Sequence, residues 1–172
     1  SINDIILSNY LGHHISPGGQ GSDGNDKQGN QFEYKTSSTN VQANFHLGAN
    51  NGTSKNIVYL RKKFANIKGA YYGQLHFGQI QRVCYCPMKS LLPLLEKKVR
   101  NIEAGQLQPQ IAWDEFCMLK DATIIERCDE PTYPIVVQNL LEAMTLAKEL
   151  GLEEGLFSKG GHNHLSVSYT HL

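Results

Sequence analysis

Residues 21–37 have the sequence GSDGNDKQGNQFEYKTS, and this stretch decides which fold the chain can adopt. Glycines and polar residues fill its first half and are typical of a turn, whereas FEYKTS has the composition of a strand. Within a strand, Glu33 and Lys35 point to one face and the two aromatic residues point to the other. The stretch therefore predicts a hairpin over residues 22–38, with a charged face and an apolar face that a helix can cover.

The segments on either side of this hairpin show helical and strand patterns. Helices are predicted at residues 2–11, 56–66, 88–103 and 135–150, and strands at residues 41–47, 70–86 and 164–172, with a turn at Gly78. This order predicts an α/β (α+β) fold in which a central mixed sheet is flanked by helices. We expect the hairpin to lie in the middle of the sheet, with the strand at 41–47 next to the strand at 31–37.

The composition is that of a globular protein. The 172 residues are 40% hydrophobic and 19% charged, which suits one domain with a substantial core. No apolar run approaches the ~18 residues of a membrane span, and no basic, apolar leader opens the chain. We therefore expect a cytoplasmic protein with no membrane partner. The four cysteines lack a CxxC spacing and are expected to be reduced thiols rather than a zinc site.

Basic residues are concentrated in the middle of the chain, although the net charge is zero. Residues 55–100 carry ten Lys and Arg against Glu96 alone, whereas residues 101–172 carry four against eleven acidic residues. A basic block of this kind can face a polyanion, and nucleic acid is the commonest one. A solvated basic face paired with the acidic part of the chain explains the same charges, so both interpretations stay open.

The charged face of the predicted hairpin carries the chemistry. An acid and a base side by side on a half-buried strand are costly unless something requires them. If a carboxylate of the preceding arm joins Glu33, the two carboxylates can bind a hard divalent cation such as Mg²⁺ through oxygen. The Lys35 ammonium can then stabilise developing negative charge or orient an attacking water. These are the requirements for hydrolysis of a phosphodiester.

Two aspartates compete for the role of the second carboxylate. Asp23 lies ten residues before Glu33, which leaves room for one strand, a turn and the return strand. Asp26 lies next to the turn, where an aspartate usually bonds its own backbone. We therefore predict Asp23 as the ligand and keep Asp26 as the alternative.

The Asp, the glycine-containing turn and the Glu-x-Lys on the next strand resemble the PD-(D/E)XK nuclease superfamily. The segments LGHHI, GSDGND, FEYKTS and FHLG resemble its type II restriction endonucleases, although no proline precedes Asp23. The resemblance implies a single nuclease domain over residues 1–172, with a restriction-endonuclease-like catalytic core at about 1–103 and a helical and strand C-terminal part at 104–172 that the resemblance does not cover.

The same resemblance implies the activity. The chain would be a Mg²⁺-dependent, site-specific type II deoxyribonuclease of prokaryotic or phage type, acting on double-stranded DNA as a homodimer. Asp23 and Glu33 would be the metal ligands, and with Lys35 they would be the catalytic residues. Phosphate contacts are predicted for Arg61, Lys62, Lys63, Lys68 and His46, and candidates for base recognition are Gln74, Gln79, Gln81 and Arg82.

Two other functions fit the same residues. In a non-enzymatic nucleic-acid-binding module, Glu33 and Lys35 would form only a structural salt bridge. Such a module needs no magnesium and tolerates loss of Glu33, whereas a nuclease requires both. A repair or recombination nuclease of the same superfamily would share the site and lack strict sequence preference.

Overall fold

The computed structural model describes residues 1–16, 22–38, 42–47, 52–102, 108–127, 133–149 and 151. The helices are α1 (Ile2–Leu11), α2 (Thr53–Phe64), α3 (Met88–Arg100), α4 (Trp113–Cys117) and α5 (Tyr133–Glu149). The strands are β1 (His14–Ile15), β2 (Gly24–Asn25), β3 (Gln31–Ser37), β4 (Ala43–Asn44), β5 (Ile67–His76), β6 (Gln79–Pro87), β7 (Gln110–Ile111) and β8 (Thr123–Arg127).

Six strands form one mixed sheet in the order β1-β2-β3-β5-β6-β8. The strands β3 and β5 run parallel, and every other neighbouring pair is antiparallel. A parallel pair needs a crossover connection, and α2 lies in the segment that joins β3 to β5. The predicted mixed α/β fold with a central mixed sheet flanked by helices is confirmed.

Helices cover both faces of this sheet. On one face, α1 and α5 pack around Leu7, Leu75 and Val83; on the other, α2, α3 and α4 pack around Tyr72 and Leu91. The aromatic side chains of β3, from Phe32 and Tyr34, belong to the α1 and α5 face. The strand therefore has the apolar face and the helical cover that its alternation predicted.

Most predicted elements are present close to their predicted bounds. The helix α1 begins with a capping box between Ser1 and Asp4 and ends at Gly12, whose φ of 69° suits a left-handed C-cap. The hairpin predicted at 70–86 is the β5–β6 pair, and it turns at Gly78. The strand predicted at 164–172 lies outside the described residues.

Three of the four cysteines lie within the described residues. Cys84 and Cys86 are buried, Cys117 is partly buried, and none of these three described cysteines is in a disulfide. Cys128 lies outside the described residues. Among the described helices, none combines the length and the apolar character that crossing a membrane requires.

The strand predicted at 41–47 is wrong in both length and position. Only Ala43–Asn44 is a strand, and it pairs with β7 in a separate two-stranded sheet, while β5 is the parallel neighbour of β3. The alternation in this segment comes from one-sided burial, because Phe45 and Leu47 are buried in the α2 and α3 core. A period of two reports which side chains are buried and does not identify the partner strand.

Candidate active site

The open end of the β2–β3 hairpin fixes Asp23 beside Glu33. The Asp23 N–H donates to the Phe32 carbonyl oxygen (3.0 Å), and Asp23 Oδ2 accepts from the Tyr34 N–H (2.7 Å). Phe32 and Tyr34 are the two chain neighbours of Glu33. The backbone and the carboxylate of Asp23 are therefore both held at the level of Glu33, just beyond the last paired residue, Gly24.

Packing on the aromatic face of the hairpin stabilises the placement of Asp23 beside Glu33. A Cβ atom at Gly24 would collide with the Tyr34 hydroxyl and ring, so glycine at this position leaves room for the Tyr34 side chain. The Tyr34 hydroxyl lies 2.7 Å from His13 Nδ1, and the His13 ring stacks on Phe32 with 4.9 Å between ring centroids. Contacts of His13 with Tyr34 and Phe32 therefore stabilise the hairpin on the face opposite the Glu33 side chain.

Glu33 and Lys35 form a buried ion pair on the opposite face. The Lys35 Nζ atom lies 3.1 Å from Glu33 Oε1, and the two side chains are only 16% and 7% exposed. The same ammonium lies 4.7 Å from the centre of the Phe45 ring. Removing two charges from water costs free energy that their attraction does not fully return. The Glu33–Lys35 pair therefore carries a desolvation cost that an exposed salt bridge on a strand does not have.

Asp23 is held in conditions that oppose its charge. Burial, followed by the negative charge of Glu33, raises the pKa of Asp23 to about 7, against the opposing effect of the Tyr34 N–H bond. Asp4 of α1 adds a smaller effect in the same direction, and Lys35 opposes it. Near neutral pH the free protein therefore keeps a proton in this group for much of the time.

Two further residues lie close to the cluster: Asp4, which sequence analysis did not single out, and Lys63, which it predicted as a phosphate contact near the site. Asp4 reaches it from α1, and its Oδ1 accepts from Thr36 Oγ1 at 3.0 Å. Lys63, in the last turn of α2, is partly buried, and burial lowers its pKa while the charges of Glu33, Lys35 and Asp23 also act on it. The only sequence signal for Asp4 was its place in the first turn of an amphipathic helix.

The residues predicted to contact phosphates lie in different environments. Arg61 forms a two-point ion pair with Glu96 (2.6 and 3.2 Å), and Lys62 and Lys68 are exposed. The His46 side chain is exposed, while its carbonyl oxygen accepts from Lys63 Nζ at 3.4 Å. Within this set, the charges of Glu33, Lys35 and Asp23 act on Lys63.

Asp26 has the role expected of a turn aspartate. Its Oδ1 accepts from the N–H groups of Gln28 (3.0 Å) and Asn30 (2.8 Å), and its Oδ2 accepts from Asn30 Nδ2 (2.8 Å). These hydrogen bonds, the Asn30 side chain first, lower the pKa of Asp26. Both oxygens of the Asp26 carboxylate accept hydrogen bonds within the turn. Asp23, in contrast, lies at the level of Glu33.

Two of the candidates for base recognition are placed where they cannot serve. Gln74 is 1% exposed and accepts a hydrogen bond from Arg82 Nε (2.5 Å), and Gln79 is also buried. The Arg82 guanidinium in turn lies 4.3 Å from the centre of the Trp113 ring. Strand residues that face the core do not reach a base edge, so that expectation is wrong for Gln74 and Gln79.

The donor set limits the kind of metal site that is possible. Within the described ranges, no group of three or more His, Cys, Asp or Glu side chains is arranged to hold a metal ion. Asp23 and Glu33 supply two carboxylates. Two carboxylates fit Mg²⁺, which is commonly bound through one or two of them together with waters and substrate phosphates. They do not fit a closed structural site, which needs more protein ligands.

Comparison with known proteins supplies no family. No protein-family model matches the chain, and no curated protein matches it significantly. The resemblance to the PD-(D/E)XK nucleases therefore rests on the motif itself.

Proposed function

We propose that this protein is a Mg²⁺-dependent DNA endonuclease that hydrolyses phosphodiester bonds at specific sites, in the manner of type II restriction enzymes. The observation that carries the proposal is the position of Asp23, held by backbone hydrogen bonds at the level of the buried Glu33–Lys35 pair. The three residues form one charged cluster on the β2–β3 hairpin.

The position of Asp23 favours an enzyme over a simple binding module. A structural salt bridge accounts for Glu33 and Lys35 without any need for a second acid. Adding Asp23 places like charges close together, which costs free energy in the free protein and raises the pKa of Asp23 to about 7. Costly groups with shifted pKa values cluster at functional sites, and a cation that binds between the carboxylates would relieve the cost.

Each residue of the cluster has a role in this proposal. Asp23 and Glu33 would hold a Mg²⁺ ion, which would supply a Lewis acid and lower the pKa of a bound water. Lys35 donates hydrogen bonds toward the oxygens of the scissile phosphate and orients the attacking water. Lys63 approaches from α2 and offsets the negative charge of the entering phosphate. A two-fold symmetric dimer would present two such sites to the two antiparallel strands.

The first experiment asks whether the chain cuts DNA at this site. Plasmid and phage DNA are incubated with the protein in Mg²⁺ and, separately, in excess chelator. We expect discrete fragments with Mg²⁺ only, and loss of cleavage in Glu33→Gln and in Lys35→Ala with duplex binding retained. Lys148→Ala is the control, because Lys148 is exposed on α5, across the sheet from the cluster.

Three results would change the proposal. Duplex binding without cleavage by the wild-type protein, unchanged in Glu33→Gln, would identify a binding module. Cleavage without discrete fragments would indicate a repair or recombination nuclease. Full cleavage by Lys35→Ala would contradict the role given to that residue.

A further inference from the structure

A groove opens beside the charged cluster, between the β2–β3 turn and the junction of α2 with β5. It has a volume of about 310 Å³ and is lined by residues 29–31 on one side and residues 65–68 on the other. The two sides meet where Gln31 pairs with Ile67 across the parallel strands. The groove is therefore built from the same strand that carries Glu33 and Lys35.

The lining of this groove is polar and available for binding. Asn66 and Lys68 are exposed and Gln31 is partly exposed. Within the described part of the chain, the side chains of these three residues form no hydrogen bond or ion pair with the protein. The Asn30 amide is instead held by Asp26, which fixes one wall. An open groove with two amides and one ammonium suits a polar, anionic polymer.

The groove lies at a defined distance from the cluster. Gln31 precedes Glu33 by two residues on β3, which places the two residues ~7 Å apart along the strand, and the pairing with β5 shifts register between Gln31 and Phe32. Successive nucleotides of a DNA strand advance by ~3.4 Å along the helix axis. For a DNA strand that follows β3, the groove would lie about two nucleotides from a phosphate held at Glu33 and Lys35.

The chain from the end of α2 into residues 65–68 links the charged cluster to the groove. Lys63 of α2 is coupled to Glu33, and the chain then runs directly into residues 65–68 of the groove wall. A DNA strand with its scissile phosphate at the cluster would meet this wall next. Side-chain amides are the groups that pair with adenine edges in two-point contacts, and lysine contacts phosphates or guanine edges.

We propose that this groove binds the nucleotides one or two steps from the scissile phosphate and determines part of the cleavage specificity. Gln31 and Asn66 contact base edges, and Lys68 contacts the backbone phosphate. The inference rests on the proposed nuclease function and adds the place where the substrate sequence is recognised. It also replaces Gln74 and Gln79, whose burial removes them from that role.

The test compares fragment patterns and rates for groove variants. Gln31→Ala and Asn66→Ala are expected to slow cleavage of the preferred sequence by roughly 5- to 150-fold each, the effect of losing one good base contact. Both should also produce new fragments from sequences that differ at one position. Lys68→Ala should keep the wild-type fragments, weaken binding to all sequences alike and reduce the salt dependence of binding by about one phosphate contact.

Matched controls separate recognition from a general loss of function. Gln28→Ala removes an exposed amide from the same turn but outside the groove, and Lys148→Ala removes an exposed lysine across the sheet. Both are expected to match the wild-type pattern and rate. Because the substituted side chains are exposed or partly exposed, we expect thermal unfolding midpoints close to that of the wild-type protein.

The possible results distinguish failure of the groove proposal from failure of the proposed nuclease function. Wild-type cleavage with unchanged fragments and rates in Gln31→Ala and Asn66→Ala would overturn the groove proposal alone. A uniform loss on all sequences in those two variants would also overturn it, because the amides would then contact only the backbone. Absence of any Mg²⁺-dependent cleavage by the wild-type protein would overturn the proposed function, and the groove proposal with it.

Discussion

The β2–β3 hairpin carries one aspartate at each end, and the surroundings shift the pKa values of the two in opposite directions. At the turn, Asp26 receives three hydrogen bonds from Gln28 and Asn30, and its pKa is lowered. At the open end, Asp23 receives one hydrogen bond, from Tyr34, and burial beside Glu33 raises its pKa to about 7. The turn aspartate stabilises the fold, whereas the other is maintained at a cost. That difference is what separates a structural carboxylate from a candidate catalytic one.

The largest expected effect comes from exchanging each aspartate for asparagine. Asp23→Asn removes one of the two proposed metal ligands, and we expect cleavage of plasmid DNA to fall by at least roughly 10²-fold. Asp26→Asn is the matched control, because its amide oxygen can still accept the two backbone N–H bonds of the turn. Its cleavage rate should stay within a few-fold of wild type. Equal losses in both variants would remove the distinction between the two ends.

The second expected effect is on stability and has opposite signs at the two positions. Because the pKa of Asp23 is higher in the folded than in the unfolded state, the folded wild-type protein loses stability as pH rises from about 4 to about 7. Asp23→Asn should therefore be the more stable protein at pH 8, by roughly 1–3 kcal/mol. The two proteins should converge near pH 4.

Asp26 should behave in the reverse sense. Its lowered pKa stabilises the folded state above the unfolded pKa, and this contribution disappears as pH falls through the folded value. Asp26→Asn should therefore be less stable than wild type at neutral pH and approach it in acid. Urea unfolding at several pH values measures both variants. Destabilisation of Asp23→Asn at pH 8 would show that Asp23 has a structural role like that of Asp26.

The elements that sequence analysis predicted well are those with a strong local signal. The apolar stripe and the glycine stop of α1 appear as predicted, and so does the division of β3 into an aromatic face and a charged face. The turn role of Asp26 also followed from local chemistry, because a turn aspartate bonds the adjacent backbone. These features depend on neighbours a few residues away.

The features that the sequence does not reveal depend on tertiary contacts between distant segments. The segment around Phe45 alternates because one side is buried, and nothing local reveals that its strand pairs with residues 110–111. Lys63 was one of several predicted phosphate contacts, and its approach to Glu33 depends on the position of α2 over the sheet, which the parallel pairing of β3 with β5 sets. The burial of Gln74 likewise depends on Arg82, its partner on the neighbouring strand.

The smallest expected effect is the response of stability to Mg²⁺, and it tests the open end of the hairpin without DNA. An ion that binds only the folded state stabilises it by about 1.4 kcal/mol when its free concentration is about ten times its Kd. Binding between Asp23 and Glu33 must displace the proton that Asp23 retains below about pH 7. The stabilisation should therefore be small at pH 5.5 and approach its full value at pH 8.

Thermal unfolding with MgCl₂, against NaCl of equal ionic strength, measures this response. Asp26→Asn should show the wild-type shift, because its carboxylate is engaged in the turn. Asp23→Asn should show little or none, since one of the two carboxylates is gone. If Mg²⁺ stabilised Asp23→Asn as much as wild type, or stabilised both equally at pH 5.5 and pH 8, the ion would be binding elsewhere. The like-charged pair would then need another explanation.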